Sequence, residues 1–314
     1  MKLLVTGGAG YIGSVVVATL LASDHEVVVI DDLSTGHADA VPHGATFVQN
    51  GVSAAGDVLD DSFDAVLHFA AKALVAESVA HPEVYWSTNV VGSFNLLRAM
   101  RDAGVRRLVF SSTAATYGTP SVSPIIEDTP AVPANPYGQS KLAVDHMLAG
   151  EARAHGLGAV SLRYFNVAGS SGGLGERHDP ETHLIPNVLA VAHGLRESVN
   201  VYGTDYDTPD GTAIRDYLHV QDLADAHLRA LDAAVPGEHD VVNLGTGTGY
   251  SIREVIDACR RVTGHPIPHV DRGRRAGDPP MLVASGERAK ARLGWTPRHD
   301  LERIVADAWG FVRR

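Results

Sequence analysis

Thr6-Gly-Gly-Ala-Gly-Tyr-Ile-Gly13 constrains the fold first, because it stands between an apolar run, Leu3-Leu4-Val5, and a helical pattern over residues 11–22. Its glycines allow a tight turn and let backbone N–H groups approach a pyrophosphate at a helix N-terminus. The spacing satisfies Gly-x-Gly-x-x-Gly at Gly8, Gly10 and Gly13, and Gly-x-x-Gly-x-x-Gly at Gly7, Gly10 and Gly13. Further apolar runs follow at residues 27–30, 65–69, 107–110 and 160–162, with helical patterns at 82–103 and 137–155. This alternation predicts an α/β fold with a Rossmann-type doubly wound parallel sheet over residues 1–167.

Beyond about Ala168 the chain becomes richer in Gly, Pro and Asp, and its helical patterns shorten to 182–193 and 251–262. A smaller α/β C-terminal domain is expected over 168–213 and 244–314. The stretch 216–233 reads as strand then helix, so 214–243 is expected to return to the first domain.

Asp31 closes the second apolar run, where a carboxylate can accept hydrogen bonds from ribose hydroxyls and would repel a 2′-phosphate. NAD is therefore expected as cofactor rather than NADP. The alternative is that Asp31 and Asp32 only cap the following turn.

Tyr137 and Lys141 are four residues apart at the start of a helical pattern, so they share one face. An ammonium there favours the phenolate, and the positive nicotinamide ring acts in the same sense, moving a tyrosine with an ordinary pKa near 10 toward use as a base. Thr113 follows the run ending Phe110-Ser111-Ser112 and can reach the same substrate oxygen, or bond backbone as a strand-end hydroxyl.

Composition limits the partners. The net charge of -11 argues against nucleic acid. Cys259 is the single cysteine, which excludes an intrachain disulfide and a cysteine-based zinc site and suits a reducing cytoplasm. The opening apolar stretch is too short for a signal segment and no later one approaches membrane-spanning length, so no membrane association is expected. Sixteen histidines show no helical His pair with a carboxylate partner, and no metal is expected.

The glycine loop, Ser111-Ser112-Thr113 and Tyr137-Gly-Gln-Ser-Lys141 together resemble the extended short-chain dehydrogenase/reductase superfamily. Within it, His68-Phe69-Ala70-Ala71, Tyr117-Gly118, Arg163-Tyr-Phe-Asn166, Asp210-Gly-Thr-Ala-Ile-Arg-Asp-Tyr-Leu-His219 and Arg274-Arg-Ala-Gly-Asp278 resemble the UDP-glucose 4-epimerase (UDP-galactose 4-epimerase) family over nearly the whole chain.

The resemblance implies interconversion of UDP-galactose and UDP-glucose through a transient 4-keto sugar, with NAD taking the hydride and returning it to the other face. It gives Tyr137 the acid/base role, Lys141 the nicotinamide ribose, and Thr113 the sugar 4-oxygen. Cofactor contacts carry over to Gly7, Gly10, Tyr11, Ile12, Gly13, Asp31, Asp32, Leu33, Ser34, Thr35, Gly36, Phe69, Ala70, Ala71, Lys72, Asn89, Ser111 and Phe165. On the UDP-sugar side the matching positions are Asn166, Arg215 and Arg275 for the diphosphate, Asp278 for ribose, Asn200, Val201 and Tyr202 for uracil, and His183-Leu184. A homodimer built on residues 82–103 and 137–155 is also implied.

Three departures stand out. Gly51 occupies the place of an Asp that contacts adenine, with Asn50 as the available substitute. Lys72 comes one residue earlier than the cofactor lysine of some members, whose position is Ala73. The chain is also short between Asp32 and Phe47.

Related nucleotide-sugar dehydratases place an Asp-Glu pair after the threonine, where this chain has Ala114-Ala115, and alanine transfers no proton. A non-catalytic NAD-binding protein would have no need of Tyr137, Lys141 and Thr113 together. Leu282 matches a pocket-wall position and is intermediate in size, leaving open the UDP-GlcNAc/UDP-GalNAc pair, as well as UDP-uronic acids or pentoses.

Overall fold

The computed structural model describes residues 1–275 and 277–313. In chain order the strands are β1 (Lys2–Thr6), β2 (Glu26–Asp31), β3 (Thr46–Gln49), β4 (Ala65–His68), β5 (Arg107–Thr113), β6 (Gly158–Tyr164), β7 (Asn166–Ala168), β8 (Val199–Tyr202), β9 (Ile214–His219), β10 (His239–Leu244), β11 (Gly249–Ser251), β12 (His269–Arg272) and β13 (Met281–Leu282). The helices are α1 (Tyr11–Leu21), α2 (Val75–Ala80), α3 (Pro82–Tyr85), α4 (Gly92–Asp102), α5 (Pro136–His155), α6 (Leu184–Ala192), α7 (Val220–Ala233), α8 (Ile252–Thr263), α9 (Glu287–Leu293) and α10 (Leu301–Val312).

Seven strands form one sheet in the order β10-β6-β5-β4-β1-β2-β3, parallel throughout. Strand alternation sends Leu3 and Val5 to one face, against α1, α7 and α9, while Leu4 joins Val66, Leu108 and the α4 and α5 side chains on the other. Both faces are covered, which is why these strands read as unbroken apolar runs. The strand order reverses between β1 and β4, and a crevice opens there at the carboxyl ends of the strands.

A third core lies under α6, α8 and α10. Beside it, β9 pairs with β11, β13 and β7, and β8 pairs with β12. Among the described residues no helix is long and apolar enough to cross a membrane.

Several elements depart from expectation. The strand of the 216–233 segment, β9, joins the small sheet instead of the large one; only α7 packs back on α1, and β10 closes the large sheet at β6. Residues near 290, expected with the C-terminal part, insert Ala289, Leu293 and Trp295 into the core beneath the large sheet. The cause is specific: α9 packs on α7 and β10, and the Trp295 indole donates to the Asp222 carbonyl at 2.9 Å. The helix expected over 82–103 is interrupted by a π-helical turn, Trp86–Val91, between α3 and α4. Strand β3 leaves no apolar run in the sequence, and none of its four residues is fully buried.

Candidate active site

A cleft of about 780 Å³ runs from the end of β2 across the carboxyl ends of β1, β4, β5 and β6 to the β8 and β9 sheets. At its cofactor end Gly7 has φ +75°, and a Cβ there would meet the Ala70 nitrogen at 2.5 Å. A Cβ on Gly13 would collide with the Gly7 carbonyl. Helix α1 begins on Gly10 with no side-chain cap. Its first N–H groups, on Tyr11, Ile12 and Gly13, therefore have no partner within the helix, and these residues line the cleft at the positive end of the helix dipole, where an anion is favoured.

Buried Asp31 accepts from the nitrogens of Ala9 (3.0 Å) and Leu33 (2.8 Å), one on each oxygen. Burial raises its carboxyl above the ordinary value, and the two backbone donors oppose that shift. Each oxygen keeps a further lone pair, so turn-capping and ribose binding are compatible. The uncapped helix, the close-packed glycines and this carboxylate fit a dinucleotide.

Asp32, Ser34, Thr35, Phe69, Ala70, Ala71, Lys72 and Phe165 also line the cleft. Leu33, Gly36 and Asn89 shape it from behind. Leu33 has φ +59°; a Cβ on Gly36 would touch Ala9 and Asp31 at 3.0 Å. Asn89 accepts from the Lys72 nitrogen at 2.8 Å and donates to the Lys72 carbonyl at 3.0 Å, fixing the loop that carries the displaced lysine. The Asn50 amide oxygen accepts from the Gly51 nitrogen at 2.9 Å, so it is engaged with its own chain.

Thr113 is the last residue of β5, and its hydroxyl accepts from the Ala115 nitrogen at 3.1 Å, starting the turn Ala114–Tyr117. Thr113 thus bonds backbone while also lining the cleft beside Tyr137. Helix α5 is started by Asn135, whose side chain accepts from the Gly138 nitrogen, with Pro136 in its first turn. One turn on, the Lys141 ammonium donates to the Ser111 carbonyl at 2.7 Å and lies 4.8 Å from the Phe110 ring centre. Ser111 in turn contacts the Tyr164 hydroxyl.

Burial dominates the titration of this pair. Tyr137 is pushed above its ordinary value by burial, with the Thr113 hydroxyl pulling it back. Lys141 is lowered by burial to about 7, against an upward pull from Asp145.

At the opposite end Arg215 is buried, and its guanidinium bonds Asp278 and donates to the Ile214 carbonyl at 2.7 Å. Its chain neighbour Asp216 turns the other way, accepting from the nitrogens of Thr246, Gly247 and Ala284. Arg275 lies 3.9 Å over the Tyr202 ring. Asn166, Asn200, Leu184 and Leu282 line the same end. Val201 does not: it is fully buried in the third core, because strand parity points it away from its cleft-lining neighbours.

Sequence spacing missed Glu176, His178 and Glu181, which gather with His183 so that one ligand atom from each lies within 4.8 Å of the others. They sit on a loop, where helical spacing gives no signal. Glu176 accepts from His178 at 2.8 Å and from His183 at 2.6 Å. Burial would lower His183, but the two glutamates outweigh it and push it up to about 10. Burial would raise Glu176, yet the two imidazoles hold it near 2. The acids are thus answered by imidazolium.

The model of the NAD dependent epimerase/dehydratase family matches residues 3–245. The chain belongs to this family. It is 58% identical to the UDP-glucose 4-epimerase of Streptomyces lividans, over 98% of this chain and 95% of the relative. With the UDP-glucose 4-epimerase of Corynebacterium glutamicum the identity is 55%, over 99% and 96%. The structure of a UDP-glucose-4-epimerase from Stenotrophomonas maltophila, with bound NAD and formylated UDP-arabinopyranose, superposes with a TM-score of 0.96 at 39% identity, covering 100% of this chain and 98% of that one. Within the family, Ala114 and Ala115 line the cleft here, so the side chains after Thr113 supply no acid or base for elimination.

Proposed function

We infer that the protein is an NAD-dependent epimerase that interconverts UDP-galactose and UDP-glucose by inverting the sugar's carbon 4. The single observation that carries the reading is the convergence, in one cleft, of Tyr137, Lys141 and Thr113 between an uncapped α1 terminus and the Arg215–Asp278 end.

The α1 terminus and Asp31 would hold NAD, which would supply a reversible hydride acceptor for carbon 4 and a positive ring that favours the tyrosinate. Tyr137 takes the proton of the 4-hydroxyl and later returns it. Thr113 orients the 4-oxygen and holds the Tyr137 hydroxyl against burial. Lys141, held on the Ser111 carbonyl, keeps a donor fixed beside Tyr137. Arg215 and Arg275 meet the diphosphate with planar donor arrays. In the structure Asp278 neutralises Arg215; a diphosphate competes for that guanidinium and frees Asp278 for a ribose hydroxyl.

The test is incubation of the purified protein with UDP-galactose and no added cofactor, scored for UDP-glucose and for NAD released on denaturation. Product together with released NAD is expected; neither product nor NAD would sink the reading. Leu282 is only partly buried against the cluster that holds Ala114 and Phe165, and it lines the cleft, so the assay repeated with UDP-N-acetylglucosamine is expected to show slower turnover.

We place the protein in the cytoplasm on its single, buried cysteine. We also propose a homodimer packed through α3, α4 and α5. Trp86, Val91 and Phe94 leave large apolar surface exposed along that helical stretch. Light scattering is expected to give about twice the 33.2 kDa chain mass; a mass of one chain removes the proposal.

A further inference from the structure

The cofactor end of the cleft has two walls. Asp31, Asp32, Ser34 and Thr35 make one, and Glu176 and His178 make the other. The residues that continue these walls outward are bonded to each other. The Arg177 guanidinium donates to both carboxylate oxygens of Asp39, at 2.8 and 2.9 Å. The His37 ring meets the Arg177 carbonyl at 3.1 Å.

Each half of this bridge is anchored to the glycine loop. The His37 nitrogen donates to the Ala9 carbonyl at 2.9 Å. On the other side the Tyr11 hydroxyl donates to the Gly169 carbonyl at 2.6 Å, holding the start of the loop that leads to Arg177. The links therefore close a ring: Ala9, His37 and Asp39, Arg177, Gly169, and back to Tyr11 at the head of α1. Arg177 is one-third exposed and Asp39 three-quarters exposed, which puts the crossing on the outer rim of the cleft and not on its floor.

The arginine is also held from behind. Its neighbours Glu176 and His178 are tied to each other, and Glu176 to His183. The short connection after Asp32 turns at Ala38–Ala40, immediately past His37, and brings the Asp39 carboxylate to the crossing.

We propose that Arg177, with Asp39 and His37, is a cofactor-retaining clasp that sets how fast NAD leaves the protein. The inference rests on the reading of this cleft as the NAD site and deepens it. A dinucleotide whose diphosphate sits at the α1 terminus lies inside the ring. It leaves only when the bridge opens or the loops part. The bridge is a paired, two-bond contact held by backbone bonds at both ends, yet it is exposed. Its loss is therefore expected to change a release rate by a few-fold and not by orders of magnitude.

The experiment uses the NAD-loaded protein as purified and follows release of NAD by its capture in a coupled alcohol dehydrogenase reaction read at the NADH absorbance. Arg177→Ala and Asp39→Ala are each expected to release NAD about threefold to fivefold faster. The charge exchange, Arg177→Asp with Asp39→Arg, is expected to bring the rate back toward that of the parent, which a merely structural role for either residue would not do. Unchanged release in both single variants overturns the clasp, as does faster release with no recovery in the exchange. A parent protein that carries no NAD at all overturns the reading of the cleft as well, so the two failures are told apart by the NAD content of the parent.

Discussion

Tyr137→Phe is expected to lower kcat by roughly 10²- to 10⁴-fold while changing KM for UDP-galactose little, because it deletes the acid/base oxygen and keeps the ring. The ring's edge-on contact with Tyr85, 6.3 Å between centres, survives the change, and NAD content should survive with it. Steady-state kinetics on the NAD-loaded variant measures the split, and turnover within tenfold of the parent would falsify the assignment.

The same proton carries a pH signature whose sign follows from the site. A tyrosine must lose its proton before it can take the sugar's, so activity rises as pH climbs toward its pKa. Burial raises that pKa and Thr113 lowers it. Thr113→Val leaves burial unopposed, and the rising limb of log kcat against pH is expected to move to higher pH. A limb that stays in place means the threonine does not tune the tyrosine.

The second large effect concerns a residue outside the cleft. Asp145, one turn beyond Lys141 on α5, accepts from the Arg163 Nε at 3.1 Å and from its terminal nitrogen at 2.8 Å. Both side chains are buried, and the guanidinium stacks 4.9 Å from the Tyr117 ring centre. Asp145→Ala strands that cation in the interior, an arrangement that costs about 3–5 kcal/mol. Chemical denaturation is the measurement, and a loss under about 1 kcal/mol would mean Arg163 finds another partner. Asp145→Asn, which keeps one acceptor oxygen, is expected to recover part of the loss. In either variant Lys141 loses its upward pull, so it keeps its proton only to a lower pH than the parent.

Much of this arrangement was legible in the chain because its signals are local. The glycine loop and the Tyr137–Lys141 spacing each lie within a few residues, and helix or turn geometry converts such spacing directly into position. Val201 shows a local signal passed over: three consecutive strand residues cannot all face one cleft, and alternation assigns the middle one to the core. Arg215 shows a signal that was not there to read. Asp216 is its neighbour in the chain, but the strand sends those two side chains to opposite faces, and they bond different partners. Its actual partner, Asp278, is brought up by a two-residue strand too short to leave a pattern. The Glu176–His183 cluster was equally silent, since loops carry no fixed period.

The closure of the large sheet by β10 has a consequence for how the chain is made. Strand β6 receives its outer neighbour only after about 75 further residues have emerged, and those residues build much of the smaller sheets in between. Until then β6 is an open edge, a template for pairing with another chain. A ribosome paused before residue 239 therefore holds a nascent chain with its cofactor loop complete and one flank of its main sheet unguarded, the interval in which a chaperone has most to protect.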